Sequence, residues 1–345
     1  MLIDSPEIAD ETLRKAYQTM LLAKHMDERM VTLQRQGIIS FALSAQGEEC
    51  CIVASAAALS PEDWIYPQYR EAAALFWRGY PMQDYIHQMF CNGKDALLGR
   101  QMPNHFGSRA HNVVTVSSPI GTKIPHCAGC AYAMKMQGEK SIALCYFGEG
   151  ASSEGDFHAG LNFAAVRKVP AIFFCRNNGY AISTPAQRQY AAENIASKGI
   201  GYGIDAYRVD GNDFFAVYEA TKKAKKKCLE GKGPILIEAL TYRLGAHSTS
   251  DDPTRYRSGE EAEKAAKEQG IIRFRQVLES KSLWSEEKEK SWLKELEEQV
   301  TKAIEISKIT SKPPLHSMVE NVFFEVPEYL QRQYEEMKNF FPGDE

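Results

Sequence analysis

Short apolar runs alternate with amphipathic stretches through the middle of the chain. Residues 142–147 and 170–175 are such runs, each bounded by turn residues, which is typical of strands buried on both faces of a parallel sheet. Two further strands are predicted at 207–209 and 234–241. Strands that alternate with helices at this step predict an α/β fold with a doubly wound, mostly parallel sheet. The helices predicted between these strands follow Thr122, span 154–168, reach to about 197, and span 214–229.

Helical patterns flank this alternating region on both sides. We expect residues 1–110 to form a mainly helical N-terminal region packed on the core, and residues 111–260 to form the α/β core itself. Residues 261–345 carry Glu/Lys-rich amphipathic helices and are expected to supply subunit contacts. All three regions belong to one structural domain. Aromatic residues at 322–326 and 340–341 would either mark a partner surface or dock on the same subunit.

The composition argues against some classes of function but does not identify the function. With 345 residues, of which 44% are hydrophobic, the chain can bury a large core. Its net charge of −4 gives no signature of a nucleic-acid or membrane partner, and no apolar stretch approaches the roughly 20 residues that span a bilayer. The acidic N-terminus lacks a signal-peptide apolar region and an Arg-rich transit pattern. We therefore expect a cytoplasmic, bacterial chain, or a mitochondrial matrix protein if the chain is a processed eukaryotic one.

The cysteines point to packing rather than chemistry. Eight of them are scattered along a chain too large to need disulfide staples, so reduced thiols are expected. Cys127 and Cys130 form a C-x-x-C pair within an Ala-rich, helical run. Because no second ligand pair lies nearby, helix packing by small residues is favoured there over a redox or zinc role.

The strongest chemical signal is a carboxylate and an amide placed after two neighbouring strands. Glu149, between Gly148 and Gly150, follows the first apolar run, and Asn178 follows the second. Open α/β sheets bind ligands at the carboxyl ends of their strands, where these oxygens suit a hard cation such as Mg²⁺. The glycines let the backbone approach a diphosphate. A dinucleotide fingerprint is less well matched, because its third glycine would come two residues before Gly155.

A second constellation follows the last predicted strand and lies at the same edge of the sheet. This Ser/Thr/Asp-rich loop, residues 242–253, contains His247. His247 is the best candidate for proton transfer, because the ordinary pKa of histidine lies near neutrality. The alternative is that His247 only hydrogen-bonds the loop.

These residues together resemble the α subunits of the branched-chain 2-oxo acid dehydrogenases, a thiamine diphosphate-dependent family. Gly-Glu-Gly followed by Asn-Asn resembles the thiamine diphosphate motif Gly-Asp-Gly…Asn-Asn. The resemblance implies the thiamine diphosphate-binding fold, thiamine diphosphate and Mg²⁺ as cofactors, and oxidative decarboxylation of branched-chain 2-oxo acids with acyl transfer to the lipoyl group of an acyltransferase component. The matching segments are 46–49, 68–71, 99–105, 117–119, 147–150, 175–185, 207–212 and 247–252.

The resemblance also implies a role for each matched position. The metal would be held by Glu149, Asn178 and the backbone carbonyl of Tyr180. The residues implied to contact the cofactor are Tyr69, Arg70, Ser118, Ile120, Glu149, Gly150, Ala151, Arg176, Asn178 and His247. Those implied to border the substrate are Gln68, Tyr69 and Ile120. His247 would be the catalytic acid or hydrogen-bond donor, and Ser248 and Ser258 match the family's regulatory phosphorylation positions.

Three positions depart from the family pattern. Glu149 stands where the general motif often has Asp, although a carboxylate is retained. Ala246 replaces the first histidine of a His-His pair. Lys123 stands where animal relatives have a Gln at a monovalent-cation site, and because its ammonium could take the cation's place, we do not predict potassium.

The resemblance further implies an obligatory partner. The family needs a glutamate that protonates the aminopyrimidine ring, and this glutamate belongs to a second α/β domain. Since the chain shows only one predicted sheet, the resemblance implies a separate β subunit and an α₂β₂ assembly, without which the chain would be nearly inactive. Two alternatives stay open: the α subunit of a pyruvate or acetoin dehydrogenase, and a non-catalytic or regulatory subunit.

Overall fold

The computed structural model describes residues 8–341 and contains one central parallel sheet. The strands are β1 (Trp64–Tyr66), β2 (Ala143–Gly148), β3 (Ala171–Asn177), β4 (Tyr180–Ala181), β5 (Thr184–Pro185), β6 (Asp205–Asp210) and β7 (Ile235–Leu240). Five of them form the sheet in the order β1-β2-β3-β7-β6, with every neighbouring pair parallel. β4 and β5 form a small antiparallel hairpin. The predicted α/β fold with a mostly parallel sheet is thus confirmed.

Helices surround the sheet and account for most of the remaining described chain. They are α1 (Asp10–Arg35), α2 (Glu49–Ala57), α3 (Ala72–Trp77), α4 (Met82–Phe90), α5 (Lys123–Gln137), α6 (Gly155–Arg167), α7 (Ile195–Gly201), α8 (Phe214–Leu229), α9 (Gly259–Lys267), α10 (Gly270–Ser280), α11 (Glu286–Ile309) and α12 (Glu328–Lys338). The helix predicted to reach about residue 197 is not observed in the described chain, and α7 instead begins at Ile195, shortly before that residue. The reason is that Asn194 caps α7, its side-chain oxygen accepting the Ser197 N–H at 2.7 Å.

The sequence pattern missed strand β1, which lies in the region expected to be helical. It is only three residues long and follows directly on the predicted turn at 61–63. Its pairing depends on a distant contact, because the Asp63 carboxylate accepts the Ile142 N–H at 2.9 Å next to the start of β2. The N-terminal region therefore supplies an edge strand of the sheet as well as helices.

Alternating residues of the central strands pack into two separate cores. In β2, Leu144 and Tyr146 face a core built with α1–α4, α8, α10 and α11. Cys145 and Phe147 face the opposite core, built mainly with α5, α6 and α7. Both faces of the sheet are therefore covered in the part of the chain that the structure describes, as in a doubly wound fold.

Two sequence-based expectations concern membrane crossing and the state of the cysteines. Among residues 8–341, no helix combines the length and apolar character needed to cross a bilayer. The cysteines are free thiols, and Cys127 is fully buried in the core between α5 and the sheet. The N-terminal residues on which the expected location rested, 1–7, lie outside the described part.

The first testable prediction concerns the core of the sheet. Phe174 on β3 is fully buried and its ring meets Tyr146 edge-on, with 5.4 Å between centroids. We expect Phe174→Ala to lower the free energy of unfolding by about 3–5 kcal/mol, through lost burial and the cavity left behind. Urea unfolding of the purified protein measures the loss. Phe163→Ala, at a ring 39% exposed on α6, is the matched control and should cost about 1 kcal/mol or less; equal losses for the two variants would contradict the prediction.

Candidate functional site

A cavity of about 260 Å³ opens at the carboxyl edge of the sheet, beyond the ends of β2 and β3. Its walls come from the turn before α3, the segment before α5, the β4–β5 hairpin and the loop after β7. The structure thus brings together residues that are far apart in sequence. The predicted residues that line the cavity are Gln68, Tyr69, Arg70, Ile120, Glu149, Gly150, Ala151, Arg176, Asn178, Tyr180 and His247.

Glu149 presents an unsatisfied oxygen at this cavity. It directly follows β2 and is 1% exposed. Its Oε2 lies 3.4 Å from the Asn178 backbone N–H, which it accepts, whereas its Oε1 has no hydrogen-bond partner among residues 8–341. Burial raises the pKa of Glu149, and the nearby Glu48 carboxylate adds to this effect. A cation bound at Oε1 would relieve both costs.

Asn178 is fixed at the cavity while Asn177 stabilises the loop behind it. The Asn178 amide donates to Glu48 Oε1 at 3.2 Å, and its side-chain oxygen accepts the Tyr180 N–H at 3.2 Å. Asn177 points away from the cavity and donates to Glu238 on β7 at 2.7 Å. The two adjacent amides therefore have different tasks, and Asn178 is the one that the resemblance assigned to the metal.

The oxygen donors fit a hard cation that also binds a ligand. Within residues 8–341, no three His, Cys, Asp or Glu side chains are grouped so as to hold a metal ion. A cation here would depend on one carboxylate, on amide and carbonyl oxygens, and on oxygens from the ligand. Such a donor set suits Mg²⁺ bound through a diphosphate better than a transition metal.

Gly150 is required by close packing. A Cβ built on Gly150 would lie 2.8 Å from the Cβ of Ala181 in the β4–β5 hairpin. The backbone at Gly150 can therefore lie this close to the hairpin only because the residue has no side chain. For the same reason it can approach a ligand bound between the two.

Arg176 is held in a buried ion-pair cluster. It is 1% exposed, and its Nη1 lies 3.0 Å from Glu48 Oε1 while its Nη2 lies 2.5 Å from Glu71 Oε1. Burial alone would lower its pKa, but the carboxylates of Glu71 and Glu48 raise it. Only Nε lacks a partner among the described residues. Arg176 thus lines the cavity but does not offer a free bidentate fork to a phosphate.

Sequence reasoning gave no role to Glu48 or Glu71, although both lie in segments that carry the resemblance. Besides pairing with Arg176, Glu71 accepts the N–H groups of residues 68–70 through Oε2, at 2.8 to 3.1 Å. It therefore shapes the turn that presents Arg70 to the cavity. For Glu71, the available signal was an acidic residue directly before the apolar run at 72–77.

His247 is held by Arg70 in one tautomer. Arg70 Nη2 donates to His247 Nδ1 at 3.1 Å and to its carbonyl oxygen at 2.6 Å. Because guanidinium can only donate, Nδ1 must be the acceptor, so the ring proton lies on Nε2. Burial, together with the charges of Arg70 and Arg243, lowers the pKa of His247 to about 3. At neutral pH the ring is therefore an uncharged hydrogen-bond donor.

The loop that carries His247 is tied to the β4–β5 hairpin. The His247 N–H donates to Asp251 Oδ2 at 2.7 Å, and the Tyr256 hydroxyl donates to the same oxygen. Arg243, which is buried, donates to the Ile182 carbonyl of the hairpin at 3.0 Å and to the Tyr256 hydroxyl at 3.2 Å. The hairpin and the His247 loop are therefore linked by the hydrogen bonds of Arg243.

The two predicted phosphorylation positions lie on this loop and at its end. Ser248 is half-buried, and its Oγ lies 3.4 Å from the Ser250 N–H. Ser258 is exposed and caps α9, accepting the Glu261 N–H at 3.1 Å. Their modification stays a prediction.

Ser118 is the predicted contact that the structure does not bring into the cavity wall. It is exposed, and its hydroxyl lies 2.7 Å from His105 Nε2. The segment before α5 reaches the cavity through Ile120 instead. Lys123, at the start of α5, is 9% exposed, and burial lowers its pKa.

Comparison with known proteins agrees with the family that the sequence resembles. Residues 17–316 match the family described as dehydrogenase E1 component. The chain is 49% identical over 334 residues to the mitochondrial 2-oxoisovalerate dehydrogenase subunit alpha of Caenorhabditis elegans, covering 96% of this chain and 77% of that protein. The human protein of the same name is 47% identical over 335 residues, with 97% and 75% covered. The subunit alpha 2 of Arabidopsis thaliana is 45% identical over 328 residues, with 95% and 70% covered.

These relatives correct the expected location. All three are eukaryotic proteins whose names specify the mitochondrion. The expectation of a cytoplasmic, bacterial chain is therefore wrong, and the names of the relatives point to the mitochondrion. The error arose because the expectation depended on the first few residues, whereas the relatives match through the folded body of the chain.

Proposed function

The chain belongs to the dehydrogenase E1 component family, and on this premise we propose that it is the α subunit of a branched-chain 2-oxo acid dehydrogenase. Its reaction would be the thiamine diphosphate-dependent oxidative decarboxylation of branched-chain 2-oxo acids, with acyl transfer to the lipoyl group of an acyltransferase. The substrate class follows the relatives, which are named for 2-oxoisovalerate, that is, 3-methyl-2-oxobutanoate. None of these names favours the pyruvate, acetoin or non-catalytic alternatives.

The observation that carries the cofactor site is Oε1 of Glu149, which has no hydrogen-bond partner among the described residues. In a buried position, an unsatisfied carboxylate oxygen is costly unless a cation or donor completes it. Asn178 lies beside it, and Gly150 leaves room for a diphosphate. We propose that Mg²⁺ is held by Glu149, Asn178 and the Tyr180 carbonyl, with the remaining positions filled by the diphosphate and water.

The other cavity residues would bind and orient the cofactor and the substrate. Arg70 carries positive charge toward the diphosphate, and Arg176 can offer its Nε–H. Gln68, Tyr69 and Ile120 would border the substrate, Ile120 giving an apolar wall suited to a branched aliphatic chain. When bound, thiamine diphosphate supplies the nucleophilic carbon and the electron sink for decarboxylation. His247 would donate its Nε2–H to the oxygen on which negative charge develops.

The partner would be a β subunit. The relatives are named as alpha subunits, and the cavity lies at the open edge of a single sheet. We propose an α₂β₂ assembly in which the β subunit closes this edge and supplies the glutamate for the aminopyrimidine. Large apolar side chains near the C-terminal end, including Phe323 and Phe324 at 51% and 103% exposure, offer a further surface for such a partner.

Calorimetric titration tests the cofactor site. Thiamine diphosphate should bind the co-purified α and β subunits in the presence of Mg²⁺ and lose at least tenfold in affinity when EDTA replaces Mg²⁺, because the cation offsets the repulsion between diphosphate and Glu149. Binding of equal strength with and without a divalent cation would contradict the proposed metal role.

The crowding at Gly150 gives a further prediction. Gly150→Ala places a methyl group against Ala181 and must displace the hairpin, so we expect the dissociation constant of thiamine diphosphate to rise about tenfold or more. Gly155→Ala is the matched control, because a Cβ there meets nothing within 4 Å. The same titration measures both; unchanged affinity in Gly150→Ala would refute the close approach.

A further inference from the structure

A buried carboxylate outside the cavity begins a series of contacts that ends on His247. Asp27, on α1, is 4% exposed. Its Oδ2 accepts the Ala45 backbone N–H at 2.6 Å, and the Ser44 hydroxyl also hydrogen-bonds it. The proposed reaction gives Asp27 no task, yet buried aspartates are rare unless they are paired or needed.

Asp27 fixes the backbone at Ser44 and Ala45, and the same backbone accepts a hydrogen bond from Arg70. The Ser44 carbonyl accepts from Arg70 Nη1, the nitrogen that does not contact His247. On the other side, the Leu43 N–H donates to Asn104 at 2.8 Å. Because Arg70 is itself only 4% exposed, its guanidinium has little freedom. The position of the Ser44 carbonyl therefore determines where Nη2 meets His247.

The same loop is fastened to the segment that leads to His247. The Leu244 N–H donates to the Gln46 carbonyl at 2.8 Å, and the Thr241 hydroxyl donates to the Gly47 carbonyl at 3.1 Å. Gly47 has φ +93°, and a Cβ there would lie 2.2 Å from the Tyr242 carbonyl oxygen. The loop and the His247 segment are thus packed backbone against backbone, so a displacement of one displaces the other.

We propose that Asp27 is a positioning residue for His247, acting through the Ser44–Ala45 backbone and Arg70. It keeps Arg70 Nη2 on His247 Nδ1 and so keeps the ring proton on Nε2, directed to the reacting oxygen. The inference rests on the proposed function and adds to it a residue that never touches the cavity.

The charge of Asp27 gives the inference a distinct signature. Burial raises the pKa of Asp27 to about 7, while the Ala45 N–H and Arg70 oppose the rise. The titratable groups that face it are Glu28, Glu49, Arg70 and Tyr85. Burial likewise raises the pKa of Glu49 to about 8. As the pH rises through about 7, Asp27 becomes a charged and stronger acceptor and attracts Arg70 more strongly.

Ionisation of Asp27 is expected to lower the stability of the folded protein while it raises the activity. Because the pKa of Asp27 is higher in the folded protein than its ordinary value of 3.8, the folded state binds the proton more tightly. Stability contributed by the protonated form is present below about pH 4 and is lost as the pH rises to about 7. Above pH 7 the charged Asp27 therefore costs stability while it positions Arg70, which is what a residue retained for function would do.

Two substitutions in the co-purified α and β subunits test the inference. Asp27→Ala removes the acceptor and should lower kcat for 3-methyl-2-oxobutanoate about tenfold or more, with KM changed less than threefold. Asp27→Asn keeps an acceptor but cannot titrate, so its kcat should be flat between about pH 6 and 8, whereas that of the natural chain rises through about pH 7. Asp27→Asn should also melt at a higher temperature than the natural chain at pH 8.

Asp63→Asn is the matched control. Asp63 is 1% exposed and also accepts a backbone N–H, but at the amino end of the sheet. The Asp63→Asn substitution should leave the pH profile of kcat unchanged. A folded Asp27→Ala assembly with kcat within twofold of the natural one, or an Asp27→Asn assembly that keeps the rise near pH 7, would overturn the inference.

A crystal structure of the Asp27→Ala assembly separates this inference from the proposed function. Arg70 Nη2 should move away from His247 Nδ1. Retention of that contact would overturn the positioning role whatever the turnover. Absence of turnover by the natural assembly would instead overturn the proposed function, while the crystal structure would still decide the role of Asp27.

Discussion

Glu149→Ala is expected to abolish turnover, lowering kcat/KM by about 10³-fold or more, because it removes the buried carboxylate that is proposed to hold the metal. A metal ion that neutralises a diphosphate contributes several kcal/mol, and about 4 kcal/mol corresponds to this factor. The fold should survive, since burial raises the pKa of Glu149 and its charge is a cost to the protein without a cation. The measurement is 2-oxo acid decarboxylation by the co-purified subunits at saturating thiamine diphosphate.

Two further variants sharpen the result. Glu149→Asp should recover much of the activity, because the general family motif carries Asp and a carboxylate is restored. Asp156→Ala, an exposed acidic residue on the same connection, is the matched control and should remain active. If Glu149→Ala keeps more than a tenth of the turnover at the same Mg²⁺ concentration, the metal position is elsewhere.

His247→Ala is expected to lower kcat about 10² to 10³-fold, the cost of removing one preorganised hydrogen-bond donor to a developing oxyanion. His247→Gln, whose amide can place an N–H near the position of Nε2, should recover part of this loss. Because the pKa of His247 is about 3, the ring is neutral throughout the range from pH 6 to 8. His247 itself should therefore contribute no ionisation to the rate in that range.

The pH profile distinguishes this account from general acid catalysis by a histidinium ion. A charged His247 would give a rate that falls as the pH rises through its pKa near neutrality, and that fall would disappear in His247→Gln. Such a result would contradict the neutral donor. His158→Ala, at an exposed histidine on α6, controls for nonspecific effects and should leave kcat unchanged.

The predicted parts of the fold were those whose signal is local. The strands β2, β3 and β7 follow from continuous apolar runs, and α8 was predicted with its observed bounds. Strand β1 was missed because three residues are too few to show a period, and its place depends on Asp63 meeting Ile142. Helix α7 was shifted because its start is decided by one capping side chain, Asn194.

The site residues also divide into those that local sequence could place and those that depend on distant contacts. Glu149 and Asn178 could be placed at one edge because parallel strands share a direction. The ion pairs of Arg176 could not be foreseen, because they join residues 128 and 105 positions apart along the chain. The neutral state of His247 has the same origin: it depends on burial and on Arg70, which the local sequence of the loop does not contain.

The most direct measurement of the central claim is the steady-state rate with three substrates. The chain, alone and co-purified with its β subunit, would be assayed with 3-methyl-2-oxobutanoate, 4-methyl-2-oxopentanoate and pyruvate, in the presence of thiamine diphosphate and Mg²⁺. The account predicts turnover only by the pair, with kcat/KM for the branched acids at least about tenfold above that for pyruvate, as an apolar pocket discriminates by roughly 1–3 kcal/mol. Preference for pyruvate would contradict the substrate class, and a well-folded pair without turnover on any of the three would contradict the enzyme.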